Sequence, residues 1–290
     1  MTLPESKTHV PNDKEAFGGF GTHFAESLSF EEFAPAAKQL FELIDNFPQE
    51  EISILDAAGG NGKRFPNGLI YLASKPGRKI NYTITDLVND SLQEFQEGVC
   101  PRLPSNIVTR AQQADLSEPW QIADQTFDAA IMSFALHWFG ENHELAITEM
   151  VRTIKTGGIG YISTLTPFDL AAVNQTFPLS FSEEELRLIY PEAQISRGTS
   201  RGKPVWNVRR DNQVALGLTS NPDYATLDKH PMIGRATQIT GFQPGYLTKI
   251  LASNGCEVIL EDQAENTSYP NGYSEGERQK SHLHYIFKKR

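Results

Sequence analysis

From Phe30 the chain repeats apolar residues at helical intervals, with Phe30, Phe33, Ala36, Leu40, Leu43 and Ile44 falling on one face. Ser29, followed by Glu32, supplies a candidate cap for that helix. After Pro48 the pattern changes. Ile52-Ser53-Ile54-Leu55-Asp56 is a short apolar run of the kind a buried strand shows, and a glycine loop separates it from a helical stretch through Leu69 to Ala73.

The same alternation continues. Asn81 to Thr85, Ile107 to Ala114 and Phe127 to Phe134 read as strands, with a helix over Ser91 to Glu97 between the first two. A helix around Ala146 to Ile154 is expected to stop at Gly157-Gly158, with Ile159 to Leu165 resuming as strand. Strands that alternate with helices imply a parallel sheet covered on both faces. From Pro167 to about Thr240 the alternation breaks down into scattered Pro, Gly, Asn and Arg with short helical fragments such as Ser182 to Leu188. Order returns with a helix over Gln243 to Ala252, a strand over Glu257 to Glu261 and a closing strand over His282 to Lys288. The expected fold is therefore α/β, a Rossmann-like open sheet of about seven strands. It is mostly parallel with an antiparallel last strand, is flanked by helices, and carries an inserted lid.

Composition narrows the function classes. The 290 residues are 39% hydrophobic and 21% charged, ordinary for a folded globular chain. A formal net charge of −10 disfavours a nucleic-acid partner, whose affinity rests on Lys and Arg neutralising phosphates. The longest near-apolar stretch, Phe127 to Phe139, is too short to cross a bilayer and is broken by Asp128, Ser133 and His137. No apolar core of a secretory signal follows Met1, so a cytoplasmic location is expected. Cys100 and Cys256 lack metal-ligand spacing, so free thiols and no metal site are expected.

The chemistry concentrates at strand ends. Asp56-Ala57-Ala58-Gly59-Gly60-Asn61-Gly62 joins an apolar strand to a helix, and small residues there let the backbone pass close to a ligand. Asp86 ends the next strand, about the ~20-residue interval at which an acid meets a ribose in dinucleotide folds. Asp115-Leu116 follows the third. A nicotinamide-binding protein and an adenosyl-binding one both fit the loop taken alone.

The ordered set is more specific. Asp56, Gly60, Gly62, Asp86 and Asp115, with Ile154-Lys155-Thr156-Gly157-Gly158 after the fourth strand, resemble a class I S-adenosylmethionine-dependent methyltransferase of the small-molecule type. The likeness runs from about Phe33 to Leu165 and again from Gln243 to the end; Ala58 stands where the family commonly has glycine. The resemblance implies S-adenosylmethionine as cofactor, held by Asp56, Ala58, Gly60, Gly62, Asp86, Leu87, Asp115, Leu116 and Ser133. Asp56 is equally readable as a loop-capping carboxylate. It also implies residues 29–166 and 241–290 as the cofactor domain, 1–28 as an arm covering the pocket, and 167–240 as the substrate lid.

The fourth strand runs into Leu136-His137-Trp138, which lacks the Asn/Asp-Pro-Pro-aromatic sequence of enzymes that methylate nucleic-acid amines. It instead resembles small-molecule carboxyl methyltransferases, where the Trp lies beside the carboxylate. Trp138 is thus a substrate candidate, with an indole donor and a wide apolar face, or a core tryptophan. His137 is a candidate general base or a packed histidine. His23 and Phe20, from the aromatic amino-terminal segment, and Arg201, from a basic stretch of the lid, are further substrate candidates. The reading is methyl transfer to a small-molecule oxygen, carboxylate or hydroxyl. An N-methyltransferase, a non-methylating cyclase using the same cofactor, and a non-enzymatic cofactor-binding module are its alternatives; a homodimer is left open.

Overall fold

The computed structural model describes residues 34–165, 174–179, 182–189, 194–200, 203–209, 224–227, 239–265 and 280–290. The elements run α1 (Ala34–Asp45), β1 (Glu51–Ala57), α2 (Pro66–Ala73), β2 (Lys79–Asp86), α3 (Asn89–Glu94), β3 (Ile107–Gln113), β4 (Phe127–Ser133), α4 (His143–Thr153) and β5 (Ile154–Leu165). They continue with β6 (Asn174–Pro178), α5 (Glu183–Ile189), β7 (Gln194–Ser200), β8 (Lys203–Arg209), β9 (Tyr224–Leu227), β10 (Ile239–Phe242), α6 (Tyr246–Ser253), β11 (Cys256–Glu265) and β12 (Lys280–Lys289).

Seven strands form one sheet in the order β11-β12-β5-β4-β1-β2-β3. The pairings among β3, β2, β1, β4 and β5 are parallel, and β12 runs antiparallel to β5 and β11. β4 lies at the centre and is buried along its whole length, which explains why its sequence reads as a continuous apolar run. Side chains alternate between two cores. Ile52, Ile54, Ile80, Tyr82, Ile131 and Tyr161 pack with Leu40, Phe41 and Ile44 of α1 and Leu69 and Leu72 of α2. Leu55, Ala130, Met132 and Ile162 pack on the other face with Ile147 and Met150 of α4 and Leu247 and Leu251 of α6. The expected doubly covered, mostly parallel sheet is the one observed. Ser29 and the start of the first predicted helix lie outside the described residues.

Two expectations need correction. Gly157-Gly158 is not a helix stop: α4 ends at Thr153, and both glycines lie inside β5. They sit where its register with β4 slips, Phe127 facing Ile154 but Ala129 facing Ile159. Gly157 takes φ +82, and a Cβ on Gly158 would come within 2.6 Å of the Asp128 carbonyl oxygen, so the bulge requires glycine at both positions. At the helix end Lys289 Nζ, from β12, donates to Val151 O at 2.9 Å, Arg152 O at 3.3 Å and Ile154 O at 2.8 Å, and Gln125 N and Thr126 N donate to Arg152 O and Thr153 O. Second, the segment after β5 contains strands as well as a helical fragment. β6, β8 and β7 form an antiparallel sheet and β9 pairs with β10, while α5 matches the predicted fragment.

Candidate functional site

The chain order reverses between β1 and β4: β2 and β3 lie to one side of β1, while β4 and β5 lie to the other. In open α/β sheets the crevice outside the carboxyl ends at such a point is where ligands bind. The loop after β1 turns there through three left-handed residues, Ala58 at φ +53, Gly60 at φ +60 and Gly62 at φ +67. Gly59 N donates to Thr85 O at 3.0 Å, fastening the loop to the end of β2. A Cβ on Gly59 would meet Asp56 Cγ at 2.6 Å, whereas one on Gly60 would meet nothing within 4 Å. Gly59 is thus required by the protein's own packing, and Gly60 faces open space.

Asp86 joins loop and strand end. Its Oδ2 accepts from Gly60 N at 2.8 Å and its Oδ1 from Val88 N at 2.9 Å; burial pushes its carboxyl above the usual range. Each oxygen retains acceptor capacity for a hydroxyl. Asp115 is fastened in a turn, with Oδ1 accepting from Ser117 N at 2.9 Å and Ser117 Oγ at 2.6 Å. Leu116 is buried beside Trp120, and Leu87 is half-buried with its carbonyl accepting from Gln113 Nε2 at 2.9 Å.

Asp56 is nearly fully buried, at 2% exposure. Its Oδ2 accepts from Tyr82 Oη at 2.5 Å, while its Oδ1 has no bonded partner. Burial raises its pKa to about 6, against the Tyr82 hydrogen bond and the Arg64 charge, which lower it. A loop-capping Asp would accept local backbone N–H groups, and Asp56 has none among the hydrogen bonds described. Its Oδ1 is buried inside the protein without a described partner.

Ser133 closes β4 on the same face. Its Oγ lies 3.0 Å from Ser163 Oγ, and its carbonyl and Oγ both accept from Arg64 Nη1, the latter at 3.1 Å. Next to it Phe134 takes φ +54, strained for an aromatic residue, and the Arg64 guanidinium sits 5.4 Å from its ring centre. A short turn, Leu136–Trp138, follows. His137 is buried with its ring 6.2 Å from Phe134 and 5.1 Å from Trp138, and Trp138 is half-buried. Among the predicted substrate residues, Phe20, His23 and Arg201 lie outside the described residues.

Sequence reasoning missed Arg64 and Tyr82. Tyr82 lay within a strand and read as core, which it also is. Arg64 carried no signal beyond a basic residue two positions after Gly62. Arg197 in β7 is exposed and stacks on the buried Trp206 with 5.0 Å between guanidinium and ring centre. Among the described residues, no group of three or more His, Cys, Asp or Glu is placed to hold a metal.

Gly60 with its open face, the Asp86 carboxyl and the buried Asp56 thus lie together at the carboxyl ends of β1 and β2. A family model described as a methyltransferase domain matches residues 55–162. No curated protein matches the chain. Among solved structures, an S-adenosylmethionine-dependent methyltransferase from Mesorhizobium loti is 15% identical with a TM-score of 0.54, the match covering 90% of this chain and 100% of that one. The Burkholderia thailandensis 1,6-didemethyltoxoflavin-N1-methyltransferase, solved with 1,6-didemethyltoxoflavin and S-adenosylhomocysteine bound, is 13% identical with a TM-score of 0.52, covering 100% and 93% respectively. At these identities the structures show a shared fold. The chain thus carries a methyltransferase domain on a class I sheet. Its sheet shares the fold of S-adenosylmethionine-dependent methyltransferases.

Proposed function

We propose that the protein methylates an oxygen of a small-molecule acceptor, with a carboxylate preferred over a hydroxyl. The observation that carries this reading is the junction after β4, where the short turn Leu136–Trp138 follows Ser133 at the carboxyl end of the strand with Trp138 half-buried. An indole N–H beside a wide apolar face suits a planar carboxylate whose remainder is apolar. The net charge of −10 argues against a phosphate-rich acceptor.

In this reading Asp86 holds the ribose, Gly60 and Gly62 admit the amino-acid half, Asp115, Leu116 and Leu87 border the adenine, and Ser133 and Asp56 face the cationic end. When bound, the cofactor supplies an electrophilic methyl on a sulfonium. The chain's part is to hold the acceptor oxygen in line with that methyl and keep water out, an arrangement worth up to ~7–11 kcal/mol. A carboxylate needs no base. A hydroxyl does, and His137 would accept its proton. Residues 167–240 would form the lid that selects the acceptor, and 1–28 the arm that covers it, with Phe20, His23 and Arg201 contributing side chains.

No helix among the described residues is long and apolar enough to cross a membrane. Light scattering would show whether two copies pair. The N1-methyltransferase among the structural neighbours acts on a small molecule, which supports that acceptor class and keeps methylation of nitrogen as the second reading.

The test is incubation with S-adenosylmethionine and parallel panels of carboxylic acids, phenols and amines, read by mass and by release of S-adenosylhomocysteine. Methyl esters whose formation falls at least tenfold in Trp138→Ala support the reading. Products confined to amines would replace it with the second, and cofactor binding without any product would overturn both.

A further inference from the structure

A hydrogen-bonded bridge joins the start of α4 to the start of α6. The chain leaves β4 through a run of short turns, with Trp138 N donating to Ala135 O, Phe139 N to Leu136 O and Asn142 N to Phe139 O, and Gly140 bends it at φ +52. His143, buried at 2% exposure, opens α4 directly after this run. Its Nδ1 lies 2.6 Å from the Gly140 carbonyl oxygen and its Nε2 2.9 Å from Tyr246 Oη, which donates to Glu144 Oε1 at 2.7 Å. Tyr246 opens α6 shortly after β10, the strand through which the chain returns from the inserted segment. Rings brace the bridge: His143 meets Phe242 of β10 edge-on at 5.1 Å, and Phe242 stacks on Tyr246 at 6.0 Å.

The protons of this bridge can be counted. A carbonyl oxygen only accepts, so Nδ1 carries a proton to lie 2.6 Å from Gly140 O. In a neutral imidazole Nε2 is then an acceptor. Tyr246 Oη has one proton and two acceptors within reach, Nε2 and the Glu144 carboxylate. All three bonds form together only with one more proton, and imidazole, which titrates nearest neutrality, takes it on Nε2. Nδ1–H then donates to Gly140, Nε2–H to Tyr246 and Oη–H to Glu144. Without that proton Tyr246 donates to Nε2, and Glu144, an exposed residue, turns to water. The groups around the imidazole are Glu144 on α4, Tyr246 on α6, Phe242 on β10 and the exposed Glu141 in the preceding turn; of these Glu144 acts on it electrostatically. Burial holds His143 below the ordinary imidazole value of 6.5, against the Gly140 carbonyl and the Glu144 charge, so the extra proton is taken up on the acid side of it.

We propose that His143 is a positioning residue: bridged to Tyr246, it bolts the return strand of the inserted segment to the turn carrying Trp138, and uptake of a proton recruits Glu144 and tightens the bolt. The positioning role rests on the reading of that turn as the acceptor side of the site, whereas the proton count stands without it.

Nitrogen-15 NMR of the full-length protein labelled at histidine, from pH 5 to pH 8, reads the imidazole directly. The His143 signals are those lost in His143→Gln or moved in Tyr246→Phe. At pH 8 Nδ1 should carry the proton, and Nε2 should gain one with a midpoint below 6.5. Glu144→Gln should lower that midpoint by about half a pH unit, and by much less once Tyr246→Phe has removed the relay. A proton on Nε2 instead of Nδ1 at pH 8, an imidazole still neutral at pH 5, or an equal Glu144→Gln effect with and without the phenol would overturn the bridge. Amide exchange read by mass spectrometry tests the bolt. In Tyr246→Phe, residues 136–142 and 239–246 should exchange at least about threefold faster, with residues 51–62 unchanged and calorimetric affinity for S-adenosylhomocysteine within about twofold of the parent. Faster exchange throughout, or no change in either segment, would overturn the positioning role. Methyl-ester formation undiminished in Trp138→Ala would instead remove the acceptor reading of the turn and leave the NMR result standing.

Discussion

Asp56→Asn is the substitution that most directly measures what the crevice costs the fold. Asp56 is a carboxyl at 2% exposure whose pKa is raised from 3.8 to about 6, chiefly by burial. In an acid this means the folded protein favours the protonated form. The penalty is absent below 3.8, grows through the window up to about 6, and is fully present above it. At about 1.36 kcal/mol per unit the full cost is roughly 3 kcal/mol. Of this, roughly 1.4 kcal/mol develops between about pH 5 and pH 8. An asparagine keeps the bond from Tyr82 Oη but places its amide where Oδ1 had no partner, a fixed cost of about 1–3 kcal/mol that does not vary with pH. The readout is therefore a slope. Urea unfolding from pH 5 to pH 8 should show the stability of Asp56→Asn rising relative to the parent by roughly 1.4 kcal/mol. The difference must be used rather than the parent curve, because burial also pushes His284 down to about 4, and this group loses stability in the opposite direction as pH falls. That contribution is common to both proteins and cancels. A difference that stays flat, or falls, with rising pH would refute a buried ionised Asp56. Such a result would remove the reason for reading its free oxygen as facing a cationic ligand group.

Gly60→Ala should cost only the left-handed backbone, about 1–2 kcal/mol, because nothing lies within 4 Å of its added Cβ. Its affinity for S-adenosylhomocysteine should fall at least tenfold by calorimetry; retained affinity would show that the ligand does not approach there. Gly160→Ala, whose Cβ would meet the Phe287 ring at 2.0 Å, should destabilise by about 1–3 kcal/mol in urea unfolding without a selective loss of ligand affinity. Lys289→Met removes the charged cap on three carbonyls of the α4 terminus and should destabilise by about 1.5–3 kcal/mol, with a smaller loss in Lys289→Arg. Asp128→Asn should cost about 1–3 kcal/mol and leave ligand binding intact, since Asp128 holds Gln49, Ser53 N and Lys155 at the amino end of β4.

The central strands were legible because each carries its own reason to be a strand. Phe127–Ser133 is apolar throughout since parallel neighbours cover it on both sides. The crevice residues Asp56, Gly60, Gly62 and Asp86 were legible too, because short loops join consecutive parallel elements at one end and sequence order there reproduces spatial order. What escaped was set from a distance. The carbonyls at the end of α4 are taken by Lys289, 135 to 138 residues away in the three bonds it makes, and by Gln125 and Thr126 before β4, and no residue near Thr153 announces this. β7 and β8, QISRGTS and KPVWNVR, are too polar to show an apolar face, and are paired along their whole length with Arg197 stacked on Trp206. Arg64 was not legible because its partner, Ser133, lies 69 positions later in the chain.

Two buried aspartates on neighbouring central strands show how the fold divides its labour. Asp128, at the amino end of β4, has both oxygens bonded, Oδ1 to Gln49 and Lys155 and Oδ2 to Ser53 N. Asp56, near the carboxyl end of β1, has one donor and one empty oxygen. Burial is similar, at 7% and 2%, so depth does not account for the difference. The carboxyl end also holds Ala58 and Phe134, two of the three non-glycine residues at positive φ among the described residues. Strain and an unpartnered oxygen are each unfavourable to an isolated fold, at about 1–3 kcal/mol for each strained or unsatisfied group. The amino end carries such groups too, with Arg78 Nη1 before β2 lacking a described partner and Gln125 before β4 at φ +51, so what sets the two ends apart is the aspartates themselves, Asp56 bonded by one donor and Asp128 by three.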